Sequence, residues 1–218
     1  MLKNIIKLIR PKHWVKNFFV FIPVLVSGSF FNLFLIRESF LAFIIFCLTS
    51  STVYVFNDII DKEKDQNHPQ KKNRPIANGK VSLSYAILLM IFLILIIIFI
   101  DKLMANNIIP VIFIYLAINF FYTLILKKLP IVDIICISLG FVLRVQSGVL
   151  ATDLETSIWL ISMTFTLAML LALGKRKTEL NKTIKKETRD SLKGYSISSI
   201  NNMQNIFVSC TLIFYLLY

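Results

Sequence analysis

The sequence is poor in the residues from which many soluble catalytic sites are built. Only two histidines, three cysteines and six glycines occur among 218 residues. His13 and His68 are isolated, and Cys47, Cys136 and Cys210 all lie inside apolar runs. These positions argue against a zinc site and against a disulfide framework, because either would need its residues grouped at defined spacings. No glycine-rich phosphate loop of a βα unit occurs in the sequence either.

Acidic residues are also scarce, whereas apolar residues are abundant. Asp and Glu number 12 against 24 Lys and Arg, and 56% of the chain is hydrophobic. Such a composition is too apolar for an ordinary soluble domain of this size. Apolar runs of about 20 residues recur, which is the length that an α-helix needs to cross a bilayer. We therefore predict an all-α integral membrane protein, a multi-span helical bundle rather than a transmembrane barrel.

The apolar runs predict about seven membrane spans in a single domain that covers residues 1–218. The spans lie near 17–36, 39–56, 82–100, 108–126, 131–150, 157–173 and 203–218. Residues 1–13 place Leu and Ile on one helical face and Lys on another, which predicts an interfacial amphipathic helix rather than a cleaved signal. The last apolar run is either a terminal span or a place where the sequence is cut short.

The basic residues are distributed unevenly among the loops. Of the 24 lysines and arginines, all but Arg37, Lys102 and Arg144 lie in the N-terminal segment and in alternate connecting loops. The positive-inside rule places those segments in the cytoplasm, which predicts a multi-pass protein of the plasma membrane. Topology and attraction to anionic membrane lipid explain much of the net charge of +12, whereas a nucleic-acid partner is not expected.

Acidic residues are concentrated in the cytoplasmic segment that follows the second predicted span. Asn57, Asp58, Asp61 and Asp65 recur at helical spacing, so that they line one side of a helix extended beyond the membrane. Carboxylates at this spacing repel one another, and a Mg²⁺ ion would remove that penalty. We predict these four residues as metal ligands, with Asp58 and Asp61 also catalytic. A solvated helix end with unrelated acids is the alternative.

The same segment continues into a basic loop, HPQKKNRPIANGK, in which Pro69, Pro75 and Gly79 end the helix. Lys72 and Arg74 are predicted to bind the phosphate oxygens that a metal ion leaves uncovered. A diphosphate that carries Mg²⁺ is the ligand that needs both charges in one place. The positive-inside rule would explain some of these lysines, but it does not explain acids and bases together.

These residues resemble the first aspartate motif of the UbiA-type membrane prenyltransferase superfamily. In this chain the matching segments are NDIIDKEKD at 57–65 and HPQKKNRPIANG at 68–79. Further segments resemble the branch that transfers 5-phosphoribose from phosphoribosyl diphosphate to a polyprenyl phosphate lipid. They are RPKHWVKNFFVFIPVL at 10–25, YTLILKKLPIVDIICISLGFVLRVQSGVLA at 122–151, LGKRKTEL at 173–180 and RDSLKGY at 189–195. The resemblance implies Mg²⁺-dependent release of diphosphate in a cytoplasm-facing cavity. It also implies about nine spans in the full fold, of which roughly two are missing here.

The loop after the sixth predicted span departs from ordinary members of that superfamily. Those enzymes carry a second aspartate motif there, whereas this loop is basic and begins with Lys175 and Arg176. A basic loop suits two phosphorylated substrates better than one. We therefore predict phosphoribosyl transfer that feeds synthesis of cell-surface glycan precursors. Transfer of a prenyl group from prenyl diphosphate to an aromatic or other acceptor is the alternative, and a non-catalytic transporter or lipid-binding protein is a third possibility.

The remaining predicted site residues lie in the resembling segments. Asp133 and Arg144 share one face of the fifth predicted span about three helical turns apart, too far for direct contact. Ionisable residues inside a membrane normally face a cavity or a partner, so we predict both as catalytic, with a structural ion pair as the alternative. The other predicted substrate-binding residues are Lys16, Asn17, Tyr122, Lys127, Lys128, Lys175, Arg176, Glu179, Arg189 and Tyr195. The sequence does not determine the oligomeric state or the lipid's chain length.

Overall fold

The computed structural model describes residues 2–155, 157–182, 192 and 194–218, and this part of the chain contains helices and turns but no β-strand. Its α-helices are α1 (Leu2–Ile9), α2 (Ile22–Val26), α3 (Leu33–Ile60), α4 (Lys62–Gln66), α5 (Leu83–Asp101), α6 (Ile109–Leu124), α7 (Val132–Thr152), α8 (Ile158–Lys182) and α9 (Ile197–Leu217). A 3-10 helix, Pro11–Phe21, connects α1 to α2. The predicted all-α fold class is confirmed.

Five of the described helices are long and apolar enough to cross a membrane, namely α3, α5, α7, α8 and α9. Helix α6 is also apolar, but it is shorter, at 16 residues. Helix α5 exposes most of its Leu, Ile and Phe side chains, as expected for a helix that faces lipid rather than water. The chain is therefore a multi-pass membrane protein.

The predicted span at 17–36 is not one continuous helix, and that prediction was wrong. The 3-10 helix occupies its start, α2 ends at Val26, and Gly28 turns the chain with a φ of +70°. The Asn32 side chain then caps a new helix by accepting two backbone N–H groups of the next turn, at 3.1 and 3.3 Å. Helix α3 consequently begins at Leu33 and includes the end of the predicted span.

The chain divides into two compact units. The first unit comprises Met1–Leu116 and Ser147–Leu154, and the second comprises Ala117–Gln146 and Glu155–Tyr218. Helices α6 and α7 each contribute residues to both units. The prediction of a single domain over 1–218 stays a prediction, and so does the interfacial position of the N-terminal helix.

In the first unit, α3 supports both the N-terminal segment and the loop between α4 and α5. An apolar cluster joins these elements to the start of α5, and its buried members are Leu8, Val55, Ile76, Val81 and Ala86. Trp14 Nε1 donates to Ser51 Oγ at 3.1 Å, and the Ser51 hydroxyl lies 2.9 Å from the carbonyl oxygen of Ile9. The N-terminal segment is thereby fixed along the half of α3 that carries the acidic motif.

Helix α7 approaches the 3-10 helix closely at Gly148, also within the first unit. A Cβ atom on Gly148 would collide with the backbone carbonyl of Val20 and would lie 3.2 Å from Pro23 Cδ. Glycine is therefore needed here for close backbone approach rather than for an unusual φ angle.

In the second unit, α8 packs along α9. The buried cluster of this unit contains Ile134, Met169, Ala172, Leu173, Leu192, Tyr195 and Ile200. The Thr211 hydroxyl of α9 lies 2.9 Å from the Thr166 hydroxyl of α8, which adds a polar contact between the two helices. Tyr195 thus belongs to the apolar core through its ring, while its hydroxyl is directed to polar groups.

Candidate active site

The acidic motif begins in the last turn of α3. Helix α3 ends at Ile60, and Asp61 leaves the helical conformation, with φ −86° and ψ 9°, before α4 begins. The predicted uninterrupted helix is therefore wrong at Asp61. The helical spacing survives, because Asp61 N–H donates to the Asn57 carbonyl at 2.9 Å and Asp65 N–H to the Asp61 carbonyl at 2.8 Å. Asp58 and Asp65 are both buried.

Two arginines from different segments converge on Asp58. Arg10 Nη2 lies 2.5 Å and Arg74 Nη1 3.1 Å from Asp58 Oδ1. Arg74 Nη1 also lies 2.5 Å from Asp65 Oδ2. The side chains of Asp58 and Asp65 are 1% and 2% exposed, whereas those of Arg10 and Arg74 are 22% and 25% exposed. We call these residues the arginine–aspartate cluster: Arg10, Asp58, Arg74 and Asp65.

The second carboxylate oxygen of Asp58 differs from the first in having no hydrogen-bond partner among the described residues. Asp58 Oδ2 is buried and accepts no hydrogen bond from the residues that the structure describes. Leaving a buried polar atom unsatisfied costs about 1–3 kcal/mol, and more if it is charged. Such an atom in the native protein calls for a ligand or another compensating interaction. The arginines therefore orient Asp58 through one oxygen, and the other oxygen is buried without a hydrogen-bond partner among the described residues.

Mg²⁺ fits this arrangement. The ion is usually held by one or two carboxylates, while waters and substrate phosphates complete an octahedron. Asp58 Oδ2 supplies one oxygen of this kind. No three His, Cys, Asp or Glu side chains in the described ranges form a metal site by themselves, and Asp65 is engaged by Arg74. The four-residue ligand set of Asn57, Asp58, Asp61 and Asp65 accordingly stays a prediction.

Arg10 belongs to this site although the sequence analysis did not assign it. Its backbone is left-handed, with φ 50° and ψ 59°, which is uncommon for a residue other than glycine. Its guanidinium carbon also lies 4.9 Å from the centre of the Tyr54 ring, within the range of a cation–π interaction. The available signal was that the resembling segment RPKHW begins at Arg10.

The loop after α4 brings Lys71, rather than Lys72, towards the acids. His68 Nδ1 accepts the backbone N–H groups of Gln70 and Lys71 at 3.1 and 3.3 Å, which requires the ring proton to be on Nε2. Lys71 is half-buried, and this burial, together with the positive charge of Arg74, lowers the pKa of its ammonium group. Lys72 is exposed, so its binding of phosphate stays a prediction.

The two predicted residues of the 3-10 helix differ in their surroundings. Asn17 is fully buried, and its Nδ2 lies 3.3 Å from both Ser50 Oγ and Cys47 Sγ. These contacts fasten the 3-10 helix to α3 and explain the burial of Asn17 without a substrate. Lys16 is exposed, and its contact with substrate stays a prediction.

The second unit contains a polar network around Asp133, at the start of α7. Arg176 Nε donates to Asp133 Oδ2 at 2.8 Å, and Arg176 Nη1 donates to Glu179 Oε2 at 2.7 Å. The Tyr195 hydroxyl donates to Asp133 Oδ1 at 2.9 Å. The side chains of Asp133 and Arg176 are 0% and 1% exposed. Four predicted site residues thus meet, but the pairing of Arg176 with two carboxylates favours a positioning role over direct binding of phosphate.

Tyr195 also holds an unusual backbone conformation. The N–H of Ile131 donates to the Tyr195 hydroxyl oxygen at 2.6 Å, and the φ angle of Ile131 is +65°. A β-branched residue rarely adopts a left-handed conformation, so this bond compensates for local strain. Burial raises the pKa of the Tyr195 hydroxyl to about 12. The network therefore fixes the segment that enters α7 as well as the end of α8.

Arg144 lies in the interior of α7. Its Nη1 donates to the carbonyl oxygen of Gly140 at 2.5 Å, and its guanidinium carbon lies 5.5 Å from the centre of the Phe141 ring. Both contacts are with the same helix, one turn away. The predicted catalytic role of Arg144 stays a prediction.

The remaining predicted substrate-binding residues differ in exposure. Tyr122 and Lys127 are half-buried, whereas Lys128 and Lys175 are exposed. Lys127 and Lys128 lie in a short 3-10 helix between α6 and α7, where anchoring at the membrane edge also explains them. Arg189 lies outside the described residues. Their contacts with substrate stay predictions.

The chain matches known proteins over nearly its whole length. A profile of the UbiA prenyltransferase family matches residues 18–216. The chain belongs to this family. The decaprenyl-phosphate phosphoribosyltransferase of Corynebacterium glutamicum is 34% identical over 199 residues, which are 88% of this chain and 60% of that protein. The protein of the same name from Mycolicibacterium smegmatis is 30% identical over 221 residues, which cover 99% of this chain and 70% of that protein.

Solved structures share the UbiA fold. A UbiA homolog from Archaeoglobus fulgidus bound to GPP and Mg2+ has a TM-score of 0.74 at 18% identity, over 99% of this chain and 78% of that one. A structure of digeranylgeranylglyceryl phosphate synthase has a TM-score of 0.74 at 19% identity, over 98% and 75% of the two chains. The predicted family and fold class are thus confirmed. This UbiA chain nevertheless spans only 60% and 70% of the lengths of the two phosphoribosyltransferases.

Proposed function

We propose that this UbiA family member transfers 5-phosphoribose from phosphoribosyl diphosphate to a polyprenyl phosphate lipid, with Mg²⁺ as cofactor and diphosphate as the released product. The observation that carries the proposal is the arginine–aspartate cluster, which combines partly exposed arginine side chains with an unsatisfied carboxylate oxygen. The choice of a phosphoribosyl donor is supported by similarity to the two decaprenyl-phosphate phosphoribosyltransferases.

The diphosphate of the donor is bound by Arg10 and Arg74. A guanidinium group presents several N–H donors in a plane and pairs with phosphate oxygens more specifically than an ammonium group does. Lys71 adds a positive charge at the same place. Asp58 and Asp61 hold the Mg²⁺ ion, which, when bound, neutralises charge on the diphosphate. The ion pairs within the cluster keep both kinds of side chain in place before the substrate arrives.

The transfer step breaks the bond between ribose C1 and the diphosphate oxygen, and the electron pair leaves with the diphosphate. An oxygen of the lipid phosphate attacks C1 from the opposite face and forms the new bond, so that the configuration at C1 is inverted. A phosphate monoester is ionised at neutral pH, since its second pKa is about 6, and no general base is required. Arg10 and Arg74 stabilise the charge that develops on the leaving group, while the site fixes the two substrates in line.

In this proposal, the network around Asp133 positions the start of α7 and the end of α8. Asp133 accepts hydrogen bonds from both the Arg176 guanidinium and the Tyr195 hydroxyl. These bonds restrain the positions of all three side chains. The side chain of Lys175, the neighbour of Arg176, is 69% exposed, and its ammonium nitrogen lies 4.0 Å from Glu179 Oε1. It is therefore the better candidate there for contact with a substrate phosphate.

In this proposal the protein lies in the plasma membrane with its site facing the cytoplasm. The product is used in the synthesis of cell-surface glycan precursors. The orientation is supported by the excess of Lys and Arg in the N-terminal segment and in the loop that carries the cluster. The soluble donor, phosphoribosyl diphosphate, is then available on the side of the membrane where the cluster lies.

A transfer assay tests this function directly. The full chain in lipid nanodiscs is incubated with Mg²⁺, phosphoribosyl diphosphate labelled in the ribose, and decaprenyl phosphate. We expect a labelled lipid whose mass exceeds that of decaprenyl phosphate by one phosphoribosyl group, with release of diphosphate, and we expect chelation of Mg²⁺ to stop the reaction. Failure to label the lipid, together with consumption of a prenyl diphosphate and an aromatic acceptor, would replace this proposal with prenyl transfer.

A further inference from the structure

A polar cleft opens in the first unit between α1 and the α4–α5 loop, residues 67–82. Its volume is about 270 Å³, and it is lined by Asn4, Lys7, Asn73, Pro75, Asn78 and Lys80. Two of these residues are lysines, three are asparagines, and none is acidic. The transfer site proposed above does not use these side chains.

The lining has the chemistry of a phosphate site. Lys7 and Lys80 contribute ammonium groups, and neither has an ion-pair partner among the described residues. Asparagine side chains add N–H donors of the kind that bind phosphate oxygens alongside charged groups. Two like charges around one cleft repel each other, and an anion between them would remove that repulsion.

The loop side of the cleft is ordered by its own hydrogen bonds. Asn78 Nδ2 donates to the carbonyl of Asn73 at 3.2 Å, and Asn78 Oδ1 accepts the N–H of Lys80 at 3.1 Å. Gly79 makes the tight turn between them with a φ of +74°. A preorganised turn of this kind loses less conformational entropy when a ligand binds.

The cleft touches both segments that deliver arginines to Asp58. Lys7 lies in the last turn of α1, shortly before Arg10, and the lining residues Asn73 and Pro75 flank Arg74. A ligand that bridges the two walls would hold these segments together. Its binding would therefore favour the arrangement in which both guanidinium groups reach Asp58.

We propose that this cleft binds the phosphate group of an anionic membrane lipid and thereby stabilises the arginine–aspartate cluster. A lipid is the favoured source because α1 is amphipathic, with the apolar side chain of Ile6 48% exposed beside Lys7. Lysines at the cytoplasmic surface of a membrane are attracted to anionic headgroups. The same N–H donors would also bind a soluble phosphate, and the experiment below distinguishes the lipid from the soluble anion.

The test compares unfolding temperatures in nanodiscs of phosphatidylcholine alone and of phosphatidylcholine with phosphatidylglycerol. The variant Lys7→Gln/Lys80→Gln removes both ammonium groups of the cleft. The matched control, Lys3→Gln/Lys64→Gln, removes the same charge from exposed positions of α1 and α4 outside the lining. We expect phosphatidylglycerol to stabilise the wild type and the control but not the cleft variant. For the detergent-solubilised protein, affinity for short-chain phosphatidylglycerol should fall about tenfold more in the cleft variant than in the control.

Equal loss of lipid binding in the two double variants would overturn the proposal, since it would reduce the effect to general surface charge. Inorganic phosphate and pyrophosphate are added to the phosphatidylcholine samples in a second series. Stabilisation by these soluble anions, lost in the cleft variant and without any effect of phosphatidylglycerol, would overturn the lipid source. Neither series measures transfer, so a failure here is distinguishable from a failure of the proposed enzymatic function.

Discussion

The substitution Asp58→Asn tests the centre of the proposed site. It keeps the size of the side chain but removes the negative charge shared by Arg10 and Arg74, and it replaces one carboxylate oxygen by an amide group that is a poor ligand for Mg²⁺. The matched control is Asp65→Asn. That control also removes a partner of Arg74, but it leaves the unsatisfied oxygen of Asp58 intact.

The two variants should lose similar stability but very different activity. A hydrogen bond to a charged group is worth about 1.5–3 kcal/mol, but Arg10 and Arg74 keep part of their hydration in the native state. We therefore expect Asp58→Asn and Asp65→Asn each to lower the free energy of unfolding by about 1–2 kcal/mol. Loss of a group that stabilises developing charge typically reduces kcat by at least about 10²-fold, and we expect this for Asp58→Asn. For Asp65→Asn we expect a loss of about tenfold or less, which corresponds to about 1.4 kcal/mol.

The assay combines thermal unfolding in nanodiscs with labelled-donor transfer over a range of Mg²⁺ concentrations. Asp58→Asn should remain folded and inactive at every Mg²⁺ concentration, whereas Asp65→Asn should reach a plateau at a Mg²⁺ concentration close to that of the wild type. Activity of Asp58→Asn within about threefold of the wild type would refute the reasoning, because such a loss is under 1 kcal/mol. Equal losses of kcat in the two variants would also contradict the reasoning, since the unsatisfied oxygen of Asp58 would then have no specific role in transfer.

Three further predictions concern positions outside the cluster. Gly148→Ala should lower the free energy of unfolding by about 1–3 kcal/mol through its clash with the 3-10 helix, whereas Gly174→Ala, whose Cβ would meet its nearest neighbour at 3.6 Å, should not. Wild-type stability should fall as the pH rises from 10 towards 12, because an unfolded tyrosine ionises near 10.0 while Tyr195 stays protonated to about 12. Tyr195→Phe should remove part of this slope in alkaline unfolding curves. Asn17→Ala should lower the unfolding free energy by about 1 kcal/mol but leave the KM for phosphoribosyl diphosphate unchanged; a raised KM would indicate the predicted substrate contact.

The predictions that depended on local spacing held best in the acidic motif. Asn57, Asp61 and Asp65 keep their helical spacing despite the break in the helix, because the N–H groups of Asp61 and Asp65 still reach the carbonyl four residues earlier. Helix α5 could be placed from its uninterrupted apolar run alone. In both cases the determining interactions lie within one or two turns of the chain, which is the range over which a sequence pattern carries information.

The features that the sequence did not reveal depend on capping, on the conformation of a loop or on distant partners. The break between α2 and α3 is set by Gly28, which turns the chain, and by Asn32, which caps α3. Both lie in a long apolar region, so a hydropathy average over that region does not reveal them. Arg10 is paired with Asp58, 48 positions away in sequence, so no local pattern could connect them. The choice of Lys71 over Lys72 depends on the turn that His68 holds, since adjacent residues of a loop point in different directions.

The pairing within the arginine–aspartate cluster explains why acids and bases occur together in a site meant for an anionic ligand. Carboxylates alone would repel one another, and arginines alone would leave buried charge uncompensated in the free protein. Interleaving Arg10, Asp58, Arg74 and Asp65 neutralises both sets before any ligand is present. Because the arginines are partly exposed, such pairs are worth less than fully buried ones and can be exchanged for contacts with phosphate. The free protein thus holds its ligand-binding groups in place, and a ligand can complete the interactions of Asp58 Oδ2, which has no hydrogen-bond partner among the described residues.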